Sequence, residues 1–369
     1  MRQTAFLILK MIRIRRRHML LLERRRMQIR TRNTLRTIAL CLPETSSWSY
    51  LKERGDDSSF ISALGLNRRG FYDILLLFQT HYVHRYGTEL GGRPSKIDTT
   101  QALAMILQFY ASSVEYKTLA QLHGCSTAVV GRVIQKAEIA LSKSLGEHPL
   151  AGIKWPKVNV MRQWAARVEA KYPLLKGKFG FVDGKNFRVQ KPSDIDLQNA
   201  QYNGWLHATL ITGVLCFGVD GCLIWGKHNC VGSWNDADMS RELQDKLMLV
   251  PDGLGIVSDA AFPASKELVG KICSPLKDGE LEKAHPDVQG LLLRLSSDIT
   301  SLRQACEWGM GSVEKPFRQL SLPLPYNPVV RETRLTNLFR LFNLRVRTTG
   351  ISQIRSVFSI KTWFIIFKH

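Results

Sequence analysis

The sequence predicts an α/β protein: a mixed β-sheet core preceded by a helical region of helix-turn-helix type. Three observations predict it. Residues 97–145 carry helical periodicity broken by turn signals. From about residue 175 the texture changes to short β-type runs alternating with helical ones. The charge is strongly basic, +21 over 369 residues, which directs the chain towards polyanions such as nucleic acid or an anionic membrane surface.

Taken in order, residues 1–50 read as a basic flexible arm, irregular or partly helical. Residues 1–40 hold 12 Lys and Arg against one acidic residue, Glu23. Such an arm fits a presequence, a nuclear signal or a DNA-binding extension. Residues 60–90 read as helical, with Phe71, Ile74, Leu75 and Phe78 at helical spacing and Gly87 closing the segment. Residues 60–150 then form one helical unit. Within it, a first helix covers 99–111 and a second 115–123, ended by Gly124. Ser126 is positioned to cap a third, whose apolar stripe is Val129, Val130, Val133, Ile134, Ala137 and Leu141. Arg132, Gln135 and Lys136 lie on the opposite face. Two short helices joined by a Gly-Cys turn, the second exposing Arg, Gln and Lys, describe a helix-turn-helix that would put those three side chains on DNA. A plain three-helix bundle with a solvated face explains the same pattern.

In the core, residues 178–182 read as a strand ending at Asp183, residues 205–217 and 222–225 as further strands, and residues 255–258 as a strand ending at Asp259. A helix is expected over 236–247, with Asp236 or Asp238 near its cap, and another over 287–320. The core spans 175–325, and residues 326–369 form C-terminal helices and a tail.

Several classes are excluded. No apolar run reaches the roughly 18 residues of a membrane span; 6–9, 102–107 and 363–367 fall far short. Seven scattered cysteines with no CxxC pair fit free thiols better than a disulfide framework. Cys216, Cys222, Cys230 and His228 match no usual zinc spacing. The patterns GxxxxGK[ST], GxGxxG, GxSxG and HExxH are absent, so phosphate-loop, serine hydrolase and zincin chemistries lack support. What remains is a pair of carboxylates, Asp183 and Asp259, each just beyond an apolar strand. Side chains there can share hard cations such as Mg²⁺, although for either Asp alone a turn or cap is the commoner role after a strand.

The segments LLKGKFGFVDGKNFRV, QNAQYNGWLHATLITGVLCF, GSWNDADM, GIVSDAAFP and QACEWGMGSVEKPFRQL, in this order, resemble the nuclease core of Harbinger-type transposases, within the DDE superfamily. The resemblance extends over about residues 60–355. It implies an RNase H-like fold, with the catalytic, metal-binding acids on Asp183, Asp259 and Glu307. It also implies two divalent ions, Mg²⁺ or Mn²⁺, which activate the attacking water or 3′-hydroxyl and stabilise the leaving oxygen. Asp236 in GSWND then supports a ligand or touches substrate, or it simply caps a helix. Glu314 competes with Glu307 on periodicity, and only the resemblance selects Glu307. Many family members follow the Glu with a Gly-Arg-Leu-Lys-like run, whereas this chain has GSVEKPFRQL; Lys315 and Arg318 are then the basic DNA contacts.

The implied activity is DNA cleavage at transposon ends and strand transfer into a target site, in the nucleus. The implied partners are DNA, a Myb-like DNA-binding protein and further copies of the chain, with no membrane. Two rivals stand beside it: a domesticated, non-catalytic DNA-binding protein, and a metal-dependent hydrolase of small phosphate esters, which the charge disfavours.

Overall fold

The computed structural model of the chain describes residues 2–32, 35–83, 95–204, 206–232, 234, 239–260, 262, 268–277 and 279–359. The first element is α1 (Arg2–Arg32), so of the arm read as irregular or partly helical most is helix. The segment holds no Pro or Gly and is rich in Arg, Leu, Met and Gln, which cost little rotamer freedom in a helix. Its described side chains, from Lys10 to Met27, are all exposed.

Helices α2 (Ser47–Arg54), α3 (Asp57–Leu64) and α4 (Arg68–His81) follow. The single helical segment read over 60–90 is therefore split, because Gly65 takes a left-handed conformation and Asn67 starts a new helix by accepting from the Gly70 amide. The expected stop at Gly87 lies outside the described residues. Helices α5 (Thr99–Ala111), α6 (Tyr116–His123) and α7 (Thr127–Glu147) stand where the turn signals put them. Asp98 caps α5 by accepting from the Gln101 amide at 2.6 Å. Ser126 occupies the cap position of α7, although its side chain makes no capping bond. α5 is buried almost all round, as a central helix should be.

After α8 (Val158–Lys171) comes β1 (Lys178–Arg188), then α9 (Ile195–Gln201), β2 (Tyr202–Asn203), β3 (Ala208–Gly218), β4 (Leu223–Val231), α10 (Arg241–Met248), β5 (Gly255–Val257) and β6 (Ile272–Cys273). β3 pairs antiparallel with both β1 and β4, whereas β1 and β5, and β5 and β6, run parallel. The spatial order β4-β3-β1-β5-β6, three antiparallel strands followed by two parallel to the first, is the strand order and polarity of an RNase H-like sheet. The fold is thus mixed α/β with a mixed sheet, as the sequence predicted.

The chain ends in α11 (Pro286–Glu314), α12 (Pro328–Thr349) and α13 (Gln353–Phe358). α12 joins the helical region to the sheet. The buried Asn343 amide bonds the backbone of Leu223 in β4 through both its oxygen and its nitrogen, each at 2.8 Å. Nine residues earlier, Arg334 pairs with Glu138 of α7, Nε to Oε1 at 2.7 Å, and Tyr110 of α5 donates to the same oxygen at 2.8 Å. Both members of this ion pair are buried, so removing one would strand the other. Among the described residues no helix is long and apolar enough to cross a membrane.

Candidate active site

Asp183 lies within β1, not at its end as the apolar run suggested. The strand continues because β3 is long enough to pair with it through Arg188 opposite Leu210. What does end nearby is β5. Its pairing with β1 closes at Phe181 opposite Val257. Asp183 and Asp259 each stand two residues beyond that last pair, one in the continuing strand and one in the segment leaving the sheet. The notch opened where β5 stops is the crevice that parallel strands commonly offer to ligands.

α11 packs across β1, β3 and β5 at this notch. Its close approach needs Gly309, because a Cβ there would meet the Phe217 ring of β3 at 2.9 Å. The contact sets the depth of the helix and so places Arg303 and Glu307 over the sheet edge. Arg303 spans the site. Its Nη1 lies 3.9 Å from Asp183 Oδ2 and its Nη2 lies 3.9 Å from Glu307 Oε1. The Asp183 side chain is 19% exposed and that of Glu307 62%. The Gly184 amide also donates to Asp183 Oδ1 at 2.9 Å.

Cys306, adjacent to Glu307, reports the field. Burial pushes its thiol well above the ordinary value, the negative charges of Asp183 and Asp259 add to the shift, and Arg303 opposes it. Asp259 therefore lies within electrostatic reach of the same helix turn. Farther along α11, Glu314 is held by Lys185 of β1 at 2.7 Å.

The structure thus brings Asp183 and Glu307 to one arginine, with Asp259 two residues past the end of β5. Among the described residues, no three acidic, His or Cys groups stand close enough together to hold a metal ion. Asp236 lies outside the described residues, and the helix read there is α10, beginning at Arg241. The cysteines that matched no zinc spacing form no metal-holding group among the described residues. Cys216 and Cys222 are buried thiols whose desolvation strongly disfavours the thiolate a metal would need.

Arg132, Gln135 and Lys136 are exposed on α7. Arg132 and Lys136 line a cavity of about 550 Å³ shared with residues 40–43. Lys315 and Arg318 are exposed just past α11, beside the Lys185–Glu314 pair. The sequence reading missed Arg303 and Lys185. Arg303 had a visible signal, since it precedes Glu307 by four residues, the spacing of an intrahelical ion pair.

The match to known proteins centres on this region. Residues 182–343, less than half of the chain, match the family described as DDE superfamily endonuclease. This segment runs from β1 into α12 and contains Asp183, Asp259 and Glu307. It carries the sequence pattern of a DDE superfamily endonuclease. No curated protein matches the chain. A solved structure, "Crystal structure of a pre-cleavage Mos1 transpososome", aligns over 74% of this chain and 84% of its own at 11% identity, with a TM-score of 0.15.

Proposed function

We propose that the chain is a Harbinger-type DDE transposase that cuts DNA at transposon ends and joins them to a target site. Asp183, Asp259 and Glu307 would be its metal-binding acids. The observation that carries this reading is the geometry at the end of β5. Two aspartates stand two residues beyond the last pair of adjoining parallel strands, and α11 brings a third carboxylate to the arginine that meets Asp183, all inside the segment that matches DDE endonucleases.

The donors fit Mg²⁺ or Mn²⁺ in kind. They are all carboxylate oxygens, which hard cations prefer, and a cation, the Arg303 guanidinium, already sits between two of them. When bound, two such ions would activate the attacking oxygen and stabilise the leaving one. The protein's own part is positional. The β1–β3 ladder fixes the backbone of Asp183, and the Gly184 amide fixes its Oδ1. Gly309 seats Glu307 on a rigid helix. Lys315 and Arg318 would hold the phosphate backbone on the adjoining rim, and Arg132, Gln135 and Lys136 would approach DNA from α7. On this reading the protein works in the nucleus, on DNA, with a Myb-like partner and further copies of itself.

The test is cleavage of plasmid DNA, which should require Mg²⁺ or Mn²⁺ and disappear in Asp183→Asn and Asp259→Asn. Cleavage in strong chelator would overturn the reading. DNA binding without cleavage in any divalent ion would leave the domesticated DNA-binding protein in its place.

A further inference from the structure

We infer that the cavity walled by α7 takes one unpaired DNA nucleotide, its base inside and its phosphate on the cations at the mouth. The inference rests on the DNA-acting reading above, but on neither the acidic site nor a metal.

Shape points to a compact ligand. The cavity of about 550 Å³ is lined from four stretches of chain, within residues 37–43, 82–83, 95–96 and 124–136. That volume lies within the roughly 300–1,000 Å³ usual for small-molecule sites. Walls on several sides suit a compact group better than a helix laid along a groove. On α7, Val129, Arg132, Val133 and Lys136 follow the i, i+3, i+4, i+7 spacing of one helix face, so that face turns to the cavity. The facing wall is closely fitted, since a Cβ on Gly124 would meet the backbone of Cys41 and Leu42 at 2.7 Å. A duplex cannot enter a space of this size; a single base swung out of the stack can.

Charge selects the class of ligand. Three cations line the cavity, Lys96, Arg132 and Lys136, and no acidic residue does. All three are exposed, whereas Tyr82, Cys125 and Val133 are buried. An apolar interior with long cationic side chains at its mouth asks for a flat apolar body carrying an anionic group, and a nucleotide is built that way. The Tyr82 ring stacks on Phe78 with centroids 5.1 Å apart, which makes it a rigid aromatic part of the wall. Ser95 and Ser126 add hydroxyls able to donate to or accept from the edge of a base. Were the three cations only a solvated rim, they would attract paired and unpaired DNA alike.

The experiment uses the full chain and two duplexes of one random sequence, one fully paired and one carrying a single unpaired 2-aminopurine. The wild type should bind the bulged duplex about tenfold more tightly, because the bulge has already met the cost of unstacking. Val129→Phe, which fills the cavity and leaves every charge in place, should abolish that preference while affinity for the paired duplex and the melting temperature stay as in the wild type. Thymidine 5′-monophosphate should compete with the bulged duplex, and thymidine or inorganic phosphate alone should compete at least about tenfold less well. This competition needs no variant, so it decides the matter even where the substitution harms the fold. Equal affinity for the two duplexes, or a preference that survives in a folded Val129→Phe, overturns the inference. Inorganic phosphate competing as well as the nucleotide would reduce the cavity to a cationic patch. Competition by an acidic peptide rich in Leu and Phe, where the nucleotide fails, would give the cavity to a protein partner. Plasmid cleavage in Mg²⁺, measured on the same preparation, keeps the two readings apart. Cleavage without a bulge preference sinks the nucleotide site alone, and a bulge preference without cleavage keeps that site and sinks the transposase.

Discussion

Glu307 and Glu314 show what single residues can and cannot reveal. They lie seven residues apart on α11, close to two turns, so they point to nearly the same side about 10 Å apart along the axis. Periodicity treats them alike. The structure separates them by partner: Glu314, the last residue of the helix, is tied to Lys185 at 2.7 Å, whereas Glu307 meets the distant side of Arg303 at 3.9 Å and keeps 62% of its side chain exposed. Glu307→Gln should therefore abolish Mg²⁺-dependent plasmid cleavage, a loss of at least about 100-fold, with a thermal melt close to the wild type's. Glu314→Gln should keep most of the cleavage and cost about 1 kcal/mol or less, since its partner is part-exposed. The reverse pattern of rates would move the third acid to Glu314. The two aspartates were visible in the sequence because each follows an apolar run. That β1 continues past Asp183 was not visible, because the continuation depends on β3, whose pairing partners lie some thirty residues downstream.

Elements were legible where local chemistry ends them. α5, α6 and α7 stand where Asp98, Gly124 and Ser126 mark their limits. β6, two residues long, has no pattern to read; it exists because β5 offers it a parallel edge. The length of α1 was not legible in the basic arm, read as irregular or partly helical, although nothing in its composition breaks a helix. The packing of α6 makes a prediction that pattern alone could not. His123 is fully buried against Trp48, its Nε2 bonded to the Gln108 amide oxygen at 3.0 Å. Burial lowers its pKa from 6.5 to about 4. Between those values the unfolded chain takes up a proton that the folded chain refuses. The contribution of this group is therefore whole above pH 6.5, and it is lost as pH falls towards 4. The loss approaches about 3 kcal/mol at the bottom of that window. Urea melts from pH 7 to 4.5 should show the wild type losing stability with a slope that His123→Gln largely removes. Equal slopes in the two proteins would show that His123 does not control the acid response.

At the scale of the whole molecule, the charge divides as the fold does. Residues 1–40 hold 12 Lys and Arg against one acid, and α1 carries most of them on a helix about 46 Å long. The cations do not form one stripe. Arg15, Arg16 and Arg17 are consecutive and so spread around the axis, and the exposed apolar residues Met19, Leu20, Leu21 and Leu22 lie among basic neighbours. A helix of this kind cannot read sequence. It can neutralise phosphates with whichever side faces them, roughly half of its cations at a time. Site-specific contact would fall instead to the exposed Arg132 and Gln135 of α7. The boundary between these parts is fixed by packing: Gly124, in the turn between α6 and α7, lies so close to the backbone of Cys41 and Leu42 that a Cβ there would meet it at 2.7 Å. The segment after α1 thus belongs to the helical body, and a clean deletion must stop before Thr37. With residues 1–34 removed, the fold should persist, and the slope of log affinity against log salt for nonspecific duplex DNA should flatten by about 4–5, because each neutralised phosphate contributes about 0.9. Affinity at low salt should fall with it, while the preference for transposon ends over random DNA that the proposed function implies should survive. That preference should instead disappear in Arg132→Ala/Gln135→Ala at an unchanged salt slope. An unaltered slope in the truncated protein would show that α1 does not touch DNA and would leave the remaining +10 of the chain as its electrostatic footprint.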